Sequence, residues 1–173
     1  MLTFAGAFAT FTYLRPFLEN YTHVSVAQLS MLLALGIAGF AGTYGATVSI
    51  GRHLHALLRW LPSALGGVTI VMLAVGHMLW AVAVAMTAWG GLNSAIPVAW
   101  STWLSQGISD KPESGGGSLV ATIQLAIMIG AAFGGMLLDH FSIAATLVGG
   151  AALLVMATVV IGGGSRLTAP IPR

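Results

Sequence analysis

The residues best suited to bind a ligand lie between Trp89 and Trp100. Trp89, Asn93, Pro97 and Trp100 recur at intervals of four, four and three, which places them on one face of a helix. An amide between two indole rings could bind a planar or hydroxylated solute through hydrogen bonds and stacking. The alternative is a packing face, with Asn93 bonded to a neighbouring helix and Trp100 beside Trp103 in an interfacial aromatic belt. We favour the solute cavity, because polar groups in apolar helices are usually functional.

Polar residues on two other segments have alternative roles as well. Arg15 precedes Pro16 near the end of the first apolar segment and could attract an anionic group, or it could snorkel to lipid headgroups or pair with Glu19. We favour snorkelling or the pair. Gln124 lies about one turn inside the fifth apolar segment. It could hydrogen-bond a neighbouring helix or contact a ligand, and the sequence does not decide between these roles.

Several kinds of chemistry are excluded by the sequence. The chain has no cysteine, which excludes disulfides, thiolate catalysis and Cys-type metal sites. His53 and His55 are two residues apart, do not share a helical face and have no evident third ligand, so we predict no metal. Neither a GxSG motif nor HExxH, two motifs expected of intramembrane proteases, occurs in the chain. We therefore predict no enzyme and no cofactor.

The elements that position these residues follow from the distribution of charge. Six basic and four acidic residues are the only charged ones among 173, and 57% of the residues are hydrophobic. Segments 26–50 and 143–164 contain no charged residue at all. Because a charge at the bilayer centre costs about 2.5–3.5 kcal/mol on insertion scales, these runs are typical of membrane spans. A net charge of +2 gives no support to nucleic-acid binding.

The sequence predicts an all-α polytopic membrane protein with six spans in one bundle. A span needs about 20 apolar residues. A tight turn is expected near Gly76–His77, and the flexible linker 110–118 precedes the fifth span. The four acidic residues lie at span ends, so no proton-binding carboxylate is expected at mid-membrane. The predicted spans are 1–18, 26–50, 56–75, 79–104, 117–138 and 143–164.

Basic residues predict the orientation of the six spans. An even number of spans places both termini on the same side of the membrane. One side carries five basic residues and the other only Arg15, so the positive-inside rule predicts cytoplasmic termini in a plasma (inner) membrane. The five are Arg52, Arg59, Lys111, Arg166 and Arg173.

Glycine and proline positions suggest an internal repeat. Small residues at helical spacing allow close helix packing, and Gly130 and Gly134 form a GxxxG pair. Together with Pro16 and Pro97 in the first and fourth spans, this pattern is typical of a 3+3 inverted repeat. The alternative is that Gly and Pro are simply common in membrane helices. The glycines of the second and fifth spans are Gly36, Gly39, Gly42 and Gly45, and Gly130, Gly134 and Gly135.

Three strings carry a resemblance to a known family. They are FAGAFATFTYLRPFLE at 4–19, IPVAWSTWLSQ at 96–106 and TIQLAIMIGAAFGGMLLDH at 122–140. They resemble the C-terminal half of major facilitator superfamily exporters of the drug/proton antiporter branch, in particular its purine ribonucleoside and sugar efflux members. The resemblance extends over essentially the whole chain, as helices seven to twelve of a twelve-helix carrier.

The resemblance implies proton-driven efflux of small solutes by alternating access between two six-helix halves. It places the solute cavity between the first and fourth helices of each half, which puts Tyr13 on one wall and Trp89, Asn93 and Trp100 on the other. The N-terminal half is missing from this chain, so transport would require such a half or a second copy. The alternative is a non-transporting membrane subunit or truncated remnant.

Overall fold

A computed structural model describes residues 1–20, 31–107 and 112–163, and its regular secondary structure is entirely α-helical. The prediction of an all-α protein is confirmed for this part of the chain. The predictions that concern Asp110, Lys111, Arg166 and Arg173 lie outside the described residues. The helices are α1 Leu2–Phe11, α2 Leu14–Asn20, α3 Met31–Ala74, α4 Leu79–Gly107, α5 Pro112–His140 and α6 Ile143–Gly163.

Four segments of the described helices are long and apolar enough to cross a membrane. They lie at Leu54–Ala74, Leu79–Gln106, Gly116–His140 and Ile143–Gly163. These segments overlap the third to sixth predicted spans. The class of membrane protein that the charge distribution predicted is therefore confirmed, while the number of six spans stays a prediction.

The first predicted span, 1–18, is divided into α1 and α2 by a turn at Thr12 and Tyr13. Proline has no N–H, so Pro16 cannot donate a helical hydrogen bond to the carbonyl of Thr12, four residues earlier. The chain tightens instead, and the N–H of Tyr13 donates to the carbonyl of Thr10 at 3.2 Å. Pro16 thus affects the helix at Thr12 and Tyr13, before its own position in the chain.

Residues 31–50 of the second predicted span and 56–74 of the third lie in one continuous helix, α3, where the sequence predicts a loop at 51–60. Residues 26–30 of the second predicted span lie outside the described residues. Arg52 and Arg59, the charged residues that suggested a loop, are compatible with a helix because arginine has a high helix propensity. The first proline after them, Pro62, also lies within α3. A charge indicates where a chain leaves the bilayer and does not by itself end a helix. The linker expected at 110–118 also differs, because α5 begins at Pro112, a residue type that is favoured in the first turn of a helix.

The tight turn between the third and fourth predicted spans is confirmed. Residues 75–77 form a turn that contains His77, and the N–H of Met78 donates to the carbonyl of Val75 at 2.8 Å. This turn sends α4 back along α3. The two helices form the most extensive helix pair of the molecule.

Glycines lie where helix backbones approach each other. A Cβ atom at Gly130 would meet the backbone of Ala5, so this glycine permits the crossing of α5 and α1. Gly42 lies in the same way against Gly91, where α3 crosses α4. The close packing expected of the glycines is confirmed for Gly42 and Gly130, whereas Gly45 has no described atom within 4 Å of its Cβ position. The inverted repeat that they suggested stays a prediction.

Candidate functional site

Trp89 lies at the centre of the packed face of α4. Its side chain is fully buried, at 0% exposure, and its indole Nε1–H donates to Oγ1 of Thr69 on α3 at 3.1 Å. The Thr69 hydroxyl in turn donates to the carbonyl of Leu65 at 2.9 Å. This chain of two hydrogen bonds satisfies a buried donor and fixes the plane of the indole ring. Direct contact of Trp89 with a solute stays a prediction.

Phe11, the last residue of α1, covers the indole of Trp89. The two rings are stacked, with centroids 5.9 Å apart and planes 11° apart. Phe8 contacts the Phe11 ring edge-on, at 5.9 Å and 72°. Phe11 is nevertheless 44% exposed. The sequence carries no signal for a role of Phe11, because a phenylalanine in an apolar helix is ordinary and its partner is 78 positions away.

Asn93 lies one turn along α4 from Trp89 and is half-buried. Pro97, four residues later, has no N–H to donate to the carbonyl of Asn93. The side-chain amide and the backbone carbonyl of Asn93 are therefore both able to bond a partner from outside α4. No hydrogen bond to this amide occurs among the described residues. The proline thus places a carbonyl without its usual helical donor beside the Asn93 side chain.

Trp100 belongs to a different level of α4 and is half-buried. It lies about 16 Å along the helix axis from Trp89, so the two indoles do not meet one small solute from the same side. Its ring packs edge-on against Trp103, at 5.8 Å and 78°. The crevice beside Trp100 leaves no room for a water molecule, whereas common ligand pockets have volumes of about 300 Å³ or more. The crevice is also lined by Thr3, Leu58, Leu61, Pro62, Ile96 and Ala99.

Tyr13, the predicted cavity residue of the first span, lies in the turn between α1 and α2. Its phenol donates to the carbonyl of Ala131 on α5 at 2.9 Å. The ring lies against Gly134 and Gly135, where a Cβ atom would come within 2.6 and 2.7 Å of Tyr13. These glycines therefore make room for the ring. Tyr13 contacts α5, whereas Trp89 contacts Phe11 of α1. The two predicted cavity residues thus have different neighbours.

Arg15 and Glu19 form the pair that the sequence predicted. The Arg15 Nε–H donates to Glu19 Oε1 at 2.7 Å, one turn apart on α2. Both side chains are exposed, so the pair contributes little to stability. Of the acidic residues whose side chains are described, Glu19 lies near the end of α2 and Asp139 near the end of α5, as expected of residues at span ends.

Gln124 lies on an exposed face of α5. This helix contains the least buried of the four candidate spans, with 17% of its apolar stretch buried against 33–39% for the other three. The structure thus brings Phe11, Trp89, Thr69 and Asn93 to one region between α1, α3 and α4. Gln124 and Trp100 are not part of that region.

Curated relatives match nearly the whole chain. A purine ribonucleoside efflux pump, NepI, of Salmonella paratyphi B is 34% identical over 168 residues, which is 96% of this chain and 42% of the relative. NepI of Salmonella typhimurium matches with the same identity and coverage. A transcription regulatory protein, OpdE, of Pseudomonas aeruginosa is 36% identical over 157 residues, 90% of this chain and 39% of the relative.

Two further comparisons find nothing: no protein-family profile and no solved structure matches the chain. The similarity to purine ribonucleoside efflux pumps that the three sequence strings predicted is confirmed by the relatives, whose names describe pumps and a regulator rather than enzymes. This chain is a membrane protein similar to those pumps, and it spans about two fifths of their length.

Proposed function

We propose that this chain is one six-helix half of a secondary-active efflux carrier of the major facilitator type. Its solutes would be small planar or hydroxylated molecules such as nucleosides, with sugars and drugs as the wider class. The observation that carries the proposal is the similarity to purine ribonucleoside efflux pumps over 96% of the chain. The four long apolar helices support a location in a lipid bilayer, which transport requires.

Six spans are the arrangement that best fits helix length. The 44 residues of α3 would extend about 66 Å, more than twice the thickness of the hydrocarbon core of a bilayer. We propose that α3 crosses the membrane twice. Gly42 and Thr69 would be about 40 Å apart on a straight helix, yet they contact Gly91 and Trp89 on the same turn of α4, which supports an α3 that doubles back. Together, α1 and α2 cover residues 2–20 and are long enough for the first span.

The surroundings of Arg59 support the part of the predicted topology that places Arg59 and the C-terminal end of α6 on the same side of the membrane. Its guanidinium lies beside Gly162, where a Cβ atom would be 3.2 Å from Nε, one residue from the end of α6. A cation at a helix C-terminus is favourable because the helix dipole is negative there. The basic segment around Arg59 and the C-terminal end of α6 are thus neighbours, as the predicted topology in an inner membrane requires.

We propose that a second six-helix half covers the exposed faces of α3 and α5. Gln124 on α5 would be costly against lipid, which favours a protein or a solute cavity beside it. In addition, α3 carries an open apolar concavity, which is lined by Ile37, Phe40, Ala41 and Tyr44. Because the relatives are more than twice as long, we commit to an N-terminal half as the occupant, with a second copy of the chain as the alternative.

The solute cavity is proposed along α1 and α4, where the Asn93 amide has no hydrogen-bond partner among the described residues and Pro97 leaves the Asn93 carbonyl without its usual helical donor. Tyr13, Trp89, Trp100 and Gln124 remain its other proposed residues. Proton antiport is the energy source that the family resemblance implies. The acidic residues of this chain lie at span ends, so we place the coupling group in the other half.

Reconstitution tests the proposal. The chain, the remaining N-terminal portion of the Salmonella paratyphi B relative, and both together would be placed in phospholipid vesicles loaded with a radiolabelled purine ribonucleoside. We expect release driven by a proton gradient only when both parts are present. If the two parts co-purify and flux still equals that of protein-free vesicles, the chain is a non-transporting subunit or a remnant.

A further inference from the structure

The ring of Phe11 is held in one orientation although nearly half of it is exposed. Trp89 lies parallel to it at 5.9 Å, and Phe8 contacts it edge-on. Trp89 is itself fixed by its hydrogen bond to Thr69, and both of these residues are fully buried. Phe11 therefore ends a rigid series of side chains that begins in the core of the α3–α4 pair.

A fixed, exposed aromatic ring is suited to stacking. An exposed phenylalanine that packs only against aliphatic side chains is free to tilt, whereas a ring stacked on a buried indole loses little further entropy when a second ring stacks on it. Stacked pairs of aromatic rings are stabilised beyond the area that they bury. The exposed side of Phe11 thus favours a planar ring over a flexible solute.

A hydrogen-bonding group lies one helical turn from the indole on which this ring is stacked. Asn93 follows Trp89 by four residues, so the two side chains are neighbours on one face of α4. Its amide is both a donor and an acceptor, which matches the edge of a heteroaromatic base. An aromatic ring and an amide at one place are what recognition of a planar heterocycle requires.

We propose that Phe11 is a specificity-determining residue: it stacks on the planar ring of the exported solute while Asn93 bonds the edge of that ring. In this arrangement Trp89 and Thr69 are positioning residues, which act by holding the Phe11 ring. The inference rests on the proposed function of solute export. It names planar heteroaromatic solutes as the class that this half selects.

A binding measurement tests this proposal. The full chain is placed in phospholipid nanodiscs, alone and with the N-terminal portion of the relative, and the Kd for a radiolabelled purine ribonucleoside is measured. Phe11→Leu keeps an apolar side chain but removes the aromatic face, and we expect its Kd to rise about tenfold, the order that base stacking on aromatic side chains contributes. Phe11→Tyr keeps the face and is expected to bind within about twofold of the natural chain. The matched control is Phe141→Leu, an exposed phenylalanine in the turn between α5 and α6.

The positioning role is tested at Thr69. Thr69→Val removes the acceptor of the Trp89 hydrogen bond, and Thr69→Ser restores it. We expect weaker binding for the valine variant and recovery for the serine variant, with thermal unfolding measured in parallel. The proposal is overturned if Phe11→Leu binds as the natural chain does, or if Phe11→Tyr loses as much affinity as Phe11→Leu. If the natural chain binds no nucleoside in either state, both this inference and the nucleoside specificity of the proposed carrier fail, whereas unchanged binding by Phe11→Leu removes this inference alone.

Discussion

The phenol of Tyr13 donates a hydrogen bond to the backbone carbonyl of Ala131, 118 positions later, at 2.9 Å. The bond joins the turn between α1 and α2 to the middle of α5. It is possible because Gly134 and Gly135 leave space for the ring. The turn itself exists because Pro16 removes a helical hydrogen bond at Thr12. A proline on one helix and two glycines on another thus cooperate to hold one side chain.

Tyr13→Phe should separate the hydrogen bond from the packing of the ring. The variant keeps the ring against the glycines and loses only the bond to Ala131, so we expect a loss of about 0.5–1.5 kcal/mol in unfolding free energy. Thermal unfolding in detergent measures it. Tyr13→Ala should cost clearly more, because the space beside the two glycines is then left empty. Equal midpoints for Tyr13→Phe and the natural chain would mean that the hydrogen bond contributes nothing.

Gly130→Ala and Gly117→Ala should change stability in opposite directions. A Cβ atom at Gly130 would meet the backbone of Ala5, so α1 and α5 must separate at a cost of about 1–3 kcal/mol. Gly117, on the same helix, has no described atom within 4 Å of its Cβ position. Alanine there should stabilise the helix by about 0.5–1 kcal/mol. Unfolding midpoints in detergent test both, and a neutral Gly130→Ala would contradict the close crossing.

Asn93→Ala should reduce solute export while leaving the amount of protein in the membrane unchanged. Loss of one hydrogen bond to the solute, about 1 kcal/mol, corresponds to roughly a fivefold weaker affinity. The measurement is the initial rate of nucleoside release from vesicles, with protein quantified by immunoblot. Ser101→Ala, an exposed polar position on the same helix, is the control. Parallel loss of protein and activity would instead assign Asn93 to helix packing.

Arg59→Gln should destabilise the end of α6. The substitution removes a cation beside the helix C-terminus, and we expect a loss of about 0.3–1 kcal/mol that shrinks as salt is added. It also removes the contact with the Trp60 ring, whose centroid lies 5.7 Å from the guanidinium carbon. Unfolding at low and high ionic strength measures the effect. Arg15→Gln, in an exposed pair with Glu19, should change little, and an equal effect of both substitutions would contradict the helix-end interaction.

Local features of the fold could be predicted from the sequence because they depend on neighbours along the chain. The charge-free segments gave the membrane class, and the turn at Gly76–His77 followed from segment length. The glycines at 42 and 130 gave the close helix crossings. The continuity of α3 through Arg52 could not be predicted, because charge responds to the position of the bilayer and helix continuity responds to backbone hydrogen bonds.

The sequence alone determined an apolar, helical membrane protein with a polar face on α4, whereas the break of the first predicted span at Tyr13 became visible only in the structure. Only the tertiary structure decided which side chains meet: Phe11 with Trp89, Trp89 with Thr69, and Tyr13 with Ala131. The reason is physical, since periodicity fixes which residues share a face within one helix. The rotation and crossing of two helices depend on packing along their whole length, which no short segment of sequence contains.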